Sequence, residues 1–216
     1  MIDYGSILRK YGIEARGVLH IGGFDGAEDI EYCKLGFRDR LFVEAQPDTF
    51  ARLKQFLDSR GAFCEQYAVS NVSHKSVTMH IAQNGQSSSI LPMAKHLDVY
   101  PSIGVIDTVL VDTIRIDDLL SMEKYRDNNY NFLNCDIQGA ELLALSGGCA
   151  SLTKFDFLNL EVNFDELYEG VPHITEIDAF LSAFDFVRAD TLVNHPTWGD
   201  AIYVKNHFTK VARNGN

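Results

Sequence analysis

At 216 residues, with 46% hydrophobic and 23% charged residues, the chain has the size and composition of one globular domain, which excludes disorder as its default state. A formal net charge of -11 suits polyphosphate backbones poorly, so nucleic acid is set aside as the main partner. No apolar run is long enough for a membrane span, none at the start resembles a leader, and Cys33, Cys64, Cys135 and Cys149 lack the paired spacing of a zinc site; buried free thiols, a cytoplasmic location and no membrane partner are expected.

In chain order, residues 6–13 predict a short leading helix, and "GVLHIG" at 17–22 a buried strand ended by glycine. "AEDIEYCKLGF" follows as a helix stopped at Gly36, then "RLFVEA" as a second strand. Residues 47–61 form the clearest helix: Pro47 suits its first turn, Phe50, Leu53 and Leu57 make its apolar stripe, and Gly61 ends it. "AFCEQYAVS" at 62–70 predicts a third strand. After an interruption the pattern resumes with a strand at 130–137, a helix at 139–154, a strand at 155–162, a helix at 174–184, and strands at 186–190 and 201–205. Phe155, Phe157 and Leu158 are assigned to the core.

Alternating strands and helices with short links predict an α/β fold, a mostly parallel sheet with helices on both faces and right-handed crossovers. The interruption, residues 71–118, differs. "SVTMHIA" and "TVLVDTIRI" alternate apolar with polar or β-branched residues around the polar loop "QNGQSSSIL", and are read as a β insertion of antiparallel strands over the sheet's edge, within a single domain 1–216.

Ligands of open α/β sheets bind beyond the carboxyl ends of the strands. Those ends carry His20, Gly22, Gly23, Asp25 and Gly26; then Glu44 and Ala45; then Ala68, Val69 and Ser70; then Asp136; then Glu161 and Asn163. Glu44 lies 22 residues after Gly22, near the spacing at which a carboxylate takes the hydroxyls of a ribose bound at a glycine turn. The dinucleotide fingerprint GxGxxG is broken, since Phe24 and Ala27 stand where glycines are required. An adenosine-bearing ligand is therefore favoured over NAD(P), and an oxidoreductase is the weaker alternative. A nucleotide-binding module without catalysis is the other.

The segments "VLHIGGFDGAE", "FVEAQPDTF", "YAVSN", "SSSIL", "VDTIRIDDLL", "FLNCDIQGAELLALSGG", "LNLEVNFDELYEG" and "GDAIYVK" fall in the order and spacing of the FkbM-type methyltransferases, which the chain resembles over about residues 17–205. The resemblance implies the class I, Rossmann-like S-adenosyl-L-methionine fold, with seven strands of which one is antiparallel. It implies O-methylation of a small-molecule or carbohydrate-like hydroxyl, with S-adenosylhomocysteine as product. It sets Gly22, Gly23 and Gly26 against the cofactor's amino-acid part, Glu44 on the ribose, Ala68, Val69 and Ser70 beside the adenine, and Asp136 at the methionine end. Many class I enzymes carry an acid where this chain has His20, so Asp25 is a candidate to compensate. Asp136, Glu161 and His195 are the candidate bases for removing a hydroxyl proton, and no metal is assigned to them.

The remaining polar and aromatic residues keep two readings each. His20 is equally a hydrogen-bonded core histidine, and Ser87, Ser88 and Ser89 equally a solvated loop. Tyr168 is read as a packing aromatic, Trp198 as an anchor in a loop, and Glu141 as a carboxylate at a helix start, where the dipole favours it.

Overall fold

The computed structural model describes residues 2–214. The chain opens with α1 (Tyr4–Tyr11), capped by the Asp3 side chain and ended by left-handed Gly12, and passes through β1 (Gly17–Ile21), α2 (Asp29–Leu35), β2 (Asp39–Val43), α3 (Pro47–Asp58) and β3 (Phe63–Glu65). It continues with β4 (Ala68–Val69), β5 (Ser76–Ala82), α4 (His96–Val99), β6 (Val105–Ile114) and α5 (Ile116–Ser121). The last part contributes β7 (Phe132–Cys135), α6 (Glu141–Ser146), β8 (Phe157–Asn163), α7 (Ile174–Ser182), β9 (Phe186–His195), β10 (Trp198–Lys205) and α8 (Asn206–Asn214).

The main sheet has seven strands in the order β3-β2-β1-β7-β8-β10-β9. All its pairs are parallel except those of β10, which runs antiparallel to both β8 and β9. The chain order reverses between β1 and β7, so the sheet's switch point lies there. The expected α/β architecture and its one antiparallel strand are both present.

Four local expectations are corrected. The strand expected over 62–70 divides: Phe63–Glu65 pairs with β2, whereas Ala68–Val69 leaves the main sheet and pairs in parallel with β6. With the antiparallel β5–β6 pair it makes a second sheet in the order β4-β6-β5, the form the β insertion takes. The helix expected over 139–154 is confined to Glu141–Ser146, with a separate short turn at Ser151–Thr153; at Gly147, where a Cβ would lie 2.2 Å from the Ser70 carbonyl oxygen, only glycine lets the chains approach so closely. The strand at 186–190 extends to His195 and, with Trp198 starting β10, forms a long hairpin where a loop was expected. Among the cysteines, all free, only Cys135 is buried; Cys33 and Cys149 are exposed.

Strand alternation sorts one face of the sheet into layers that run toward its carboxyl edge. The first is apolar: Val18, Phe132, Phe157 and Val204 stand side by side, with Phe132 and Phe157 stacked at 4.1 Å. The next is polar and buried, with His20, Asn134 and Asn159 beside Ile202. Above it come Glu161 and Asp200, directly paired across β8 and β10, and Asp136 just past β7. On the opposite face the central strands are apolar, with Leu19, Ile21, Leu133, Cys135, Leu158 and Leu160 in the larger core.

At the start of α2, Asp29 is fully buried and accepts from Arg40 Nε at 2.7 Å and from Arg60 Nε, while Arg40 also donates to the Phe37, Arg38 and Arg60 carbonyls. Removing the carboxylate strands a largely buried guanidinium. Asp29→Ala is expected to lower the unfolding free energy by about 3 kcal/mol with an unchanged denaturant slope, as read by urea titration.

Candidate active site

A cavity of about 890 Å³ opens at the carboxyl edge of the sheet, over the switch point. Its first wall is the turn after β1. Gly22 adopts φ +86, and a Cβ there would lie 1.8 Å from the Asp136 carbonyl oxygen. The glycine is therefore demanded by the contact between the ends of β1 and β7, and the same turn leaves bare backbone against the cavity. The Gly22 and Gly23 amides donate to the Val43 carbonyl at 2.9 and 3.1 Å, tying the turn to β2.

Glu44, one residue past β2, is held from both sides. Its Oε2 accepts from the Phe24 amide at 3.0 Å and its Oε1 from the Gln46 amide at 2.8 Å. Burial pushes its carboxyl above the usual range while those amides oppose the shift. Each oxygen keeps acceptor capacity for a ligand hydroxyl. Beyond it, Ala45, Tyr67, Ala68, Val69 and Met79 line a largely apolar slot. The insertion closes over this side: Gln46 Nε2 donates to Ser88 Oγ, which also accepts from the Ala82 amide. Ser87, Ser88 and Ser89 are buried and line the cavity, so they do not form a solvated loop.

At the other end stand the acids. Oxygens of Asp136, Glu141 and Glu161 lie within 4.8 Å of one another, and Gln138 Nε2 donates to Asp136 Oδ1 and Glu161 Oε2, each at 2.8 Å. Glu161 and Glu141 are buried; Asp136 is exposed and lines the open cavity. Burial, then the charges of Asp136 and Glu141, hold the Glu161 carboxyl well above its usual range. Burial also raises Asp136, against the Gln138 hydrogen bond, and pushes Glu141 up to about 7. None of these acids makes a salt bridge among the described residues.

A scan against protein families matches the methyltransferase FkbM domain over residues 20–188. The chain belongs to the FkbM methyltransferase family. The methyl donor of this family is S-adenosyl-L-methionine, in agreement with the sequence resemblance. Among curated proteins the chain is similar to the 2-O-methyltransferase NoeI of Sinorhizobium fredii (strain NBRC 101917 / NGR234), with 29% identity over 182 residues, covering 79% of this chain and 72% of that protein. Among solved structures it resembles M. capricolum TrmK in complex with S-adenosylhomocysteine, at 7% identity and a TM-score of 0.51, over 95% of this chain and 70% of that one. It also resembles the magnesium protoporphyrin IX methyltransferase of Synechocystis PCC 6803 with S-adenosylhomocysteine bound, at 10% identity and a TM-score of 0.51, over 94% and 80% of the two chains. These likenesses show the class I methyltransferase fold.

Within this FkbM chain, most of the sequence-derived candidates meet at the cavity: His20, Gly22, Gly23, Asp25, Glu44, Ala45, Ala68, Val69, Asp136 and Glu161 all line it. Gly26, Ser70 and His195 do not. Gly26 has φ +73 and presses on Leu53, where a Cβ would lie 2.7 Å away, so it serves helix packing. The Ser70 backbone packs against Gly147 instead. His195 Nδ1 accepts from the Thr197 amide at 3.3 Å, inside its own hairpin. Asp25 is exposed, and its Oδ1 accepts from the Ala27 amide.

His20 lies in the cavity floor in a continuous polar network. Its ring nitrogens face Tyr32 Oη and Asn134 Nδ2, each at 3.3 Å, and Asn159 Nδ2 donates to Asn134 Oδ1 at 2.8 Å and to Tyr4 Oη at 3.3 Å. Burial lowers its pKa to about 3, so the imidazole is neutral at physiological pH and cannot replace a carboxylate. Glu141 Oε1 accepts from the Ile137 and Gly139 amides, so it braces the loop before α6. Tyr168 is buried, its hydroxyl held between Ser87 O and Gln138 Oε1.

The far wall is built from His96, Tyr100, Ile103, Leu167, Asn194 and Asp200, which the sequence does not mark, and from Trp198, which lines the cavity from the start of β10 rather than anchoring a loop. Trp198 Nε1 donates to Tyr100 Oη at 2.8 Å, and the His96 ring lies 5.2 Å from that of Tyr100.

Carboxylates raised in the folded state bind more protons than in the unfolded chain, so their favourable contribution is complete below about pH 4.5 and is lost as pH rises through the folded values, near 7 for Glu141. The depressed His20 works oppositely, adding stability as pH rises from about 3 to the unfolded value of 6.5. Comparing Glu161→Gln with the parent cancels His20. The variant is expected to melt higher than the parent at pH 8 and to lose that advantage at pH 5, as measured by calorimetry.

Proposed function

We propose that this protein transfers the methyl group of S-adenosyl-L-methionine to a hydroxyl of a small or carbohydrate-like acceptor. The observation that carries the reading is the juxtaposition, in one cavity, of a ribose-type carboxylate at the end of β2 with a raised carboxylate pair at the ends of β7 and β8. The 29% identity to a 2-O-methyltransferase supports oxygen as the target. The acidic balance of the chain favours an acceptor other than nucleic acid.

The residues present fit the cofactor. Glu44 offers its remaining acceptor positions to both ribose hydroxyls, the Ala68–Met79 slot suits an adenine ring, and the bare Gly22–Gly23 backbone admits the amino-acid portion. When bound, the cofactor supplies an electrophilic methyl on a sulfonium. The protein's part is to orient the acceptor oxygen in line with that methyl and to receive its proton. Asp136 faces the cavity and Glu161 lies beside it, so one proton shared by the pair leaves a carboxylate more basic than an exposed one. The aromatic wall of Tyr100 and Trp198 shapes the acceptor's side. His195 is set aside as the base, because it stands outside the cavity lining.

Two experiments check this assignment. S-adenosylhomocysteine at 100 times its dissociation constant is expected to stabilise the fold by about 2.7 kcal/mol while NAD gives no shift; Glu44→Gln is expected to weaken that binding roughly tenfold without lowering the melting temperature of the empty protein. With a glycoside acceptor in hand, Asp136→Asn is expected to bind S-adenosylhomocysteine as the parent does and to lose about 100-fold or more in turnover; turnover within a few-fold of the parent would assign the proton to another group.

A further inference from the structure

We propose that Asp136 and Glu161, which line the cavity, together with the enclosed Glu141 form a site for a divalent cation of the hard, oxygen-seeking kind, such as Mg²⁺ or Mn²⁺. One oxygen of each lies within 4.8 Å of the others, a spread that modest side-chain adjustment closes onto a single ion. All the donors are carboxylate oxygens, the ligand set of Mg²⁺, Ca²⁺ and Mn²⁺ rather than of zinc or copper.

Crowding of acids alone does not make such a site. Two buried side chains without partners point to a missing ligand. Glu141 is fully enclosed; its Oε1 is spent on two backbone amides, and its Oε2 has no hydrogen-bond partner. Asn163 follows Glu161 by two residues on the same face of β8, is 1% exposed, and has neither Nδ2 nor Oδ1 satisfied. Buried polar atoms of this kind are costly to leave unpaired. In addition, Asp200 pairs with Glu161 across β10, so a further acid adds to the negative field while no arginine or lysine enters it among the described residues. Gln138 Nε2 now bridges Asp136 and Glu161, a neutral donor standing between two carboxylates where a cation would be held far more strongly.

The use of the ion, though not its binding, rests on the O-methyltransferase reading. A hydroxyl drawn onto a divalent cation beside Asp136 loses its proton more readily, to the Asp136 oxygen that the ion leaves free, and neighbouring hydroxyls of a sugar offer two oxygens to the same ion. The acids therefore become ligands and orienting groups when the ion is present.

The test titrates Mn²⁺ into the full-length protein, with and without saturating S-adenosylhomocysteine, following free Mn²⁺ by electron paramagnetic resonance and binding by calorimetry. The expected result is saturable binding of a single ion per chain at millimolar or lower concentration, competed by Mg²⁺, and weakened at least roughly tenfold in Glu161→Gln and in Asp136→Asn. Both variants remove charge from a crowded site and are expected to fold, which their circular dichroism and melting curves verify. No saturable binding in either state, or binding unchanged in both folded variants, overturns the proposal. Binding of S-adenosylhomocysteine in the same samples separates the two readings: if it binds and Mn²⁺ does not, the cation site fails alone.

Discussion

The contact that organises this molecule is the one between Gly22 and the carbonyl of Asp136. β1 and β7 lie side by side at the point where the strand order reverses, and their ends approach so closely that no side chain fits between them. The crossovers that lead away on either side must diverge from there, and the divergence opens the cavity. Because the turn is forced to glycine by packing, it presents peptide groups, rather than side chains, to whatever lies above. Asp136 is brought to the same place by the same contact, since its carbonyl meets the turn while its carboxylate faces the cavity.

From that point the chemistry is laid out along the strands. Each of β1, β7 and β8 starts apolar on the face beneath α1, passes through a buried polar residue and ends in a glycine or an acid. The apolar layer anchors the sheet. The layer of His20, Asn134 and Asn159 satisfies its polar atoms largely within itself and with two tyrosines, so it supports a polar cavity floor without introducing charge. Asp136, Glu141 and Glu161 are left with few donors and no paired arginine or lysine among the described residues. A positively charged cofactor, a shared proton or a metal ion each answers that imbalance, and each would be drawn to the same end of the cavity. The opposite end is shaped differently, with one carboxylate fixed by two amides beside an apolar slot.

Much of this arrangement was legible in the sequence. The alternation of short apolar runs with helices gave the sheet, and collecting the residue at each predicted strand end brought Glu44, Asp136 and Glu161 together. What escaped has physical reasons. Residues 62–70 read as one apolar strand because nothing in their pattern marks the change of sheet after Glu65. Gly26 resembled Gly22, yet its role is set by Leu53, a residue of α3. Nothing in the pattern around Asp29 marks the two distant arginines that enclose it. His96 and Tyr100 lie in a stretch without periodicity, and only the insertion's fold carries them to the cavity. Glu141 was assigned to the helix it begins, but its hydrogen bonds go back to the preceding loop.

The proposed placement of the cofactor in the layered cavity is tested most directly by a crystal structure of the complex with S-adenosylhomocysteine. The account predicts both ribose hydroxyls on the Glu44 carboxylate, the adenine in the slot of Ala68, Val69 and Met79, and the sulfur at the end nearest Asp136. A ligand lying with its ribose away from Glu44, or with its sulfur remote from Asp136, would contradict it.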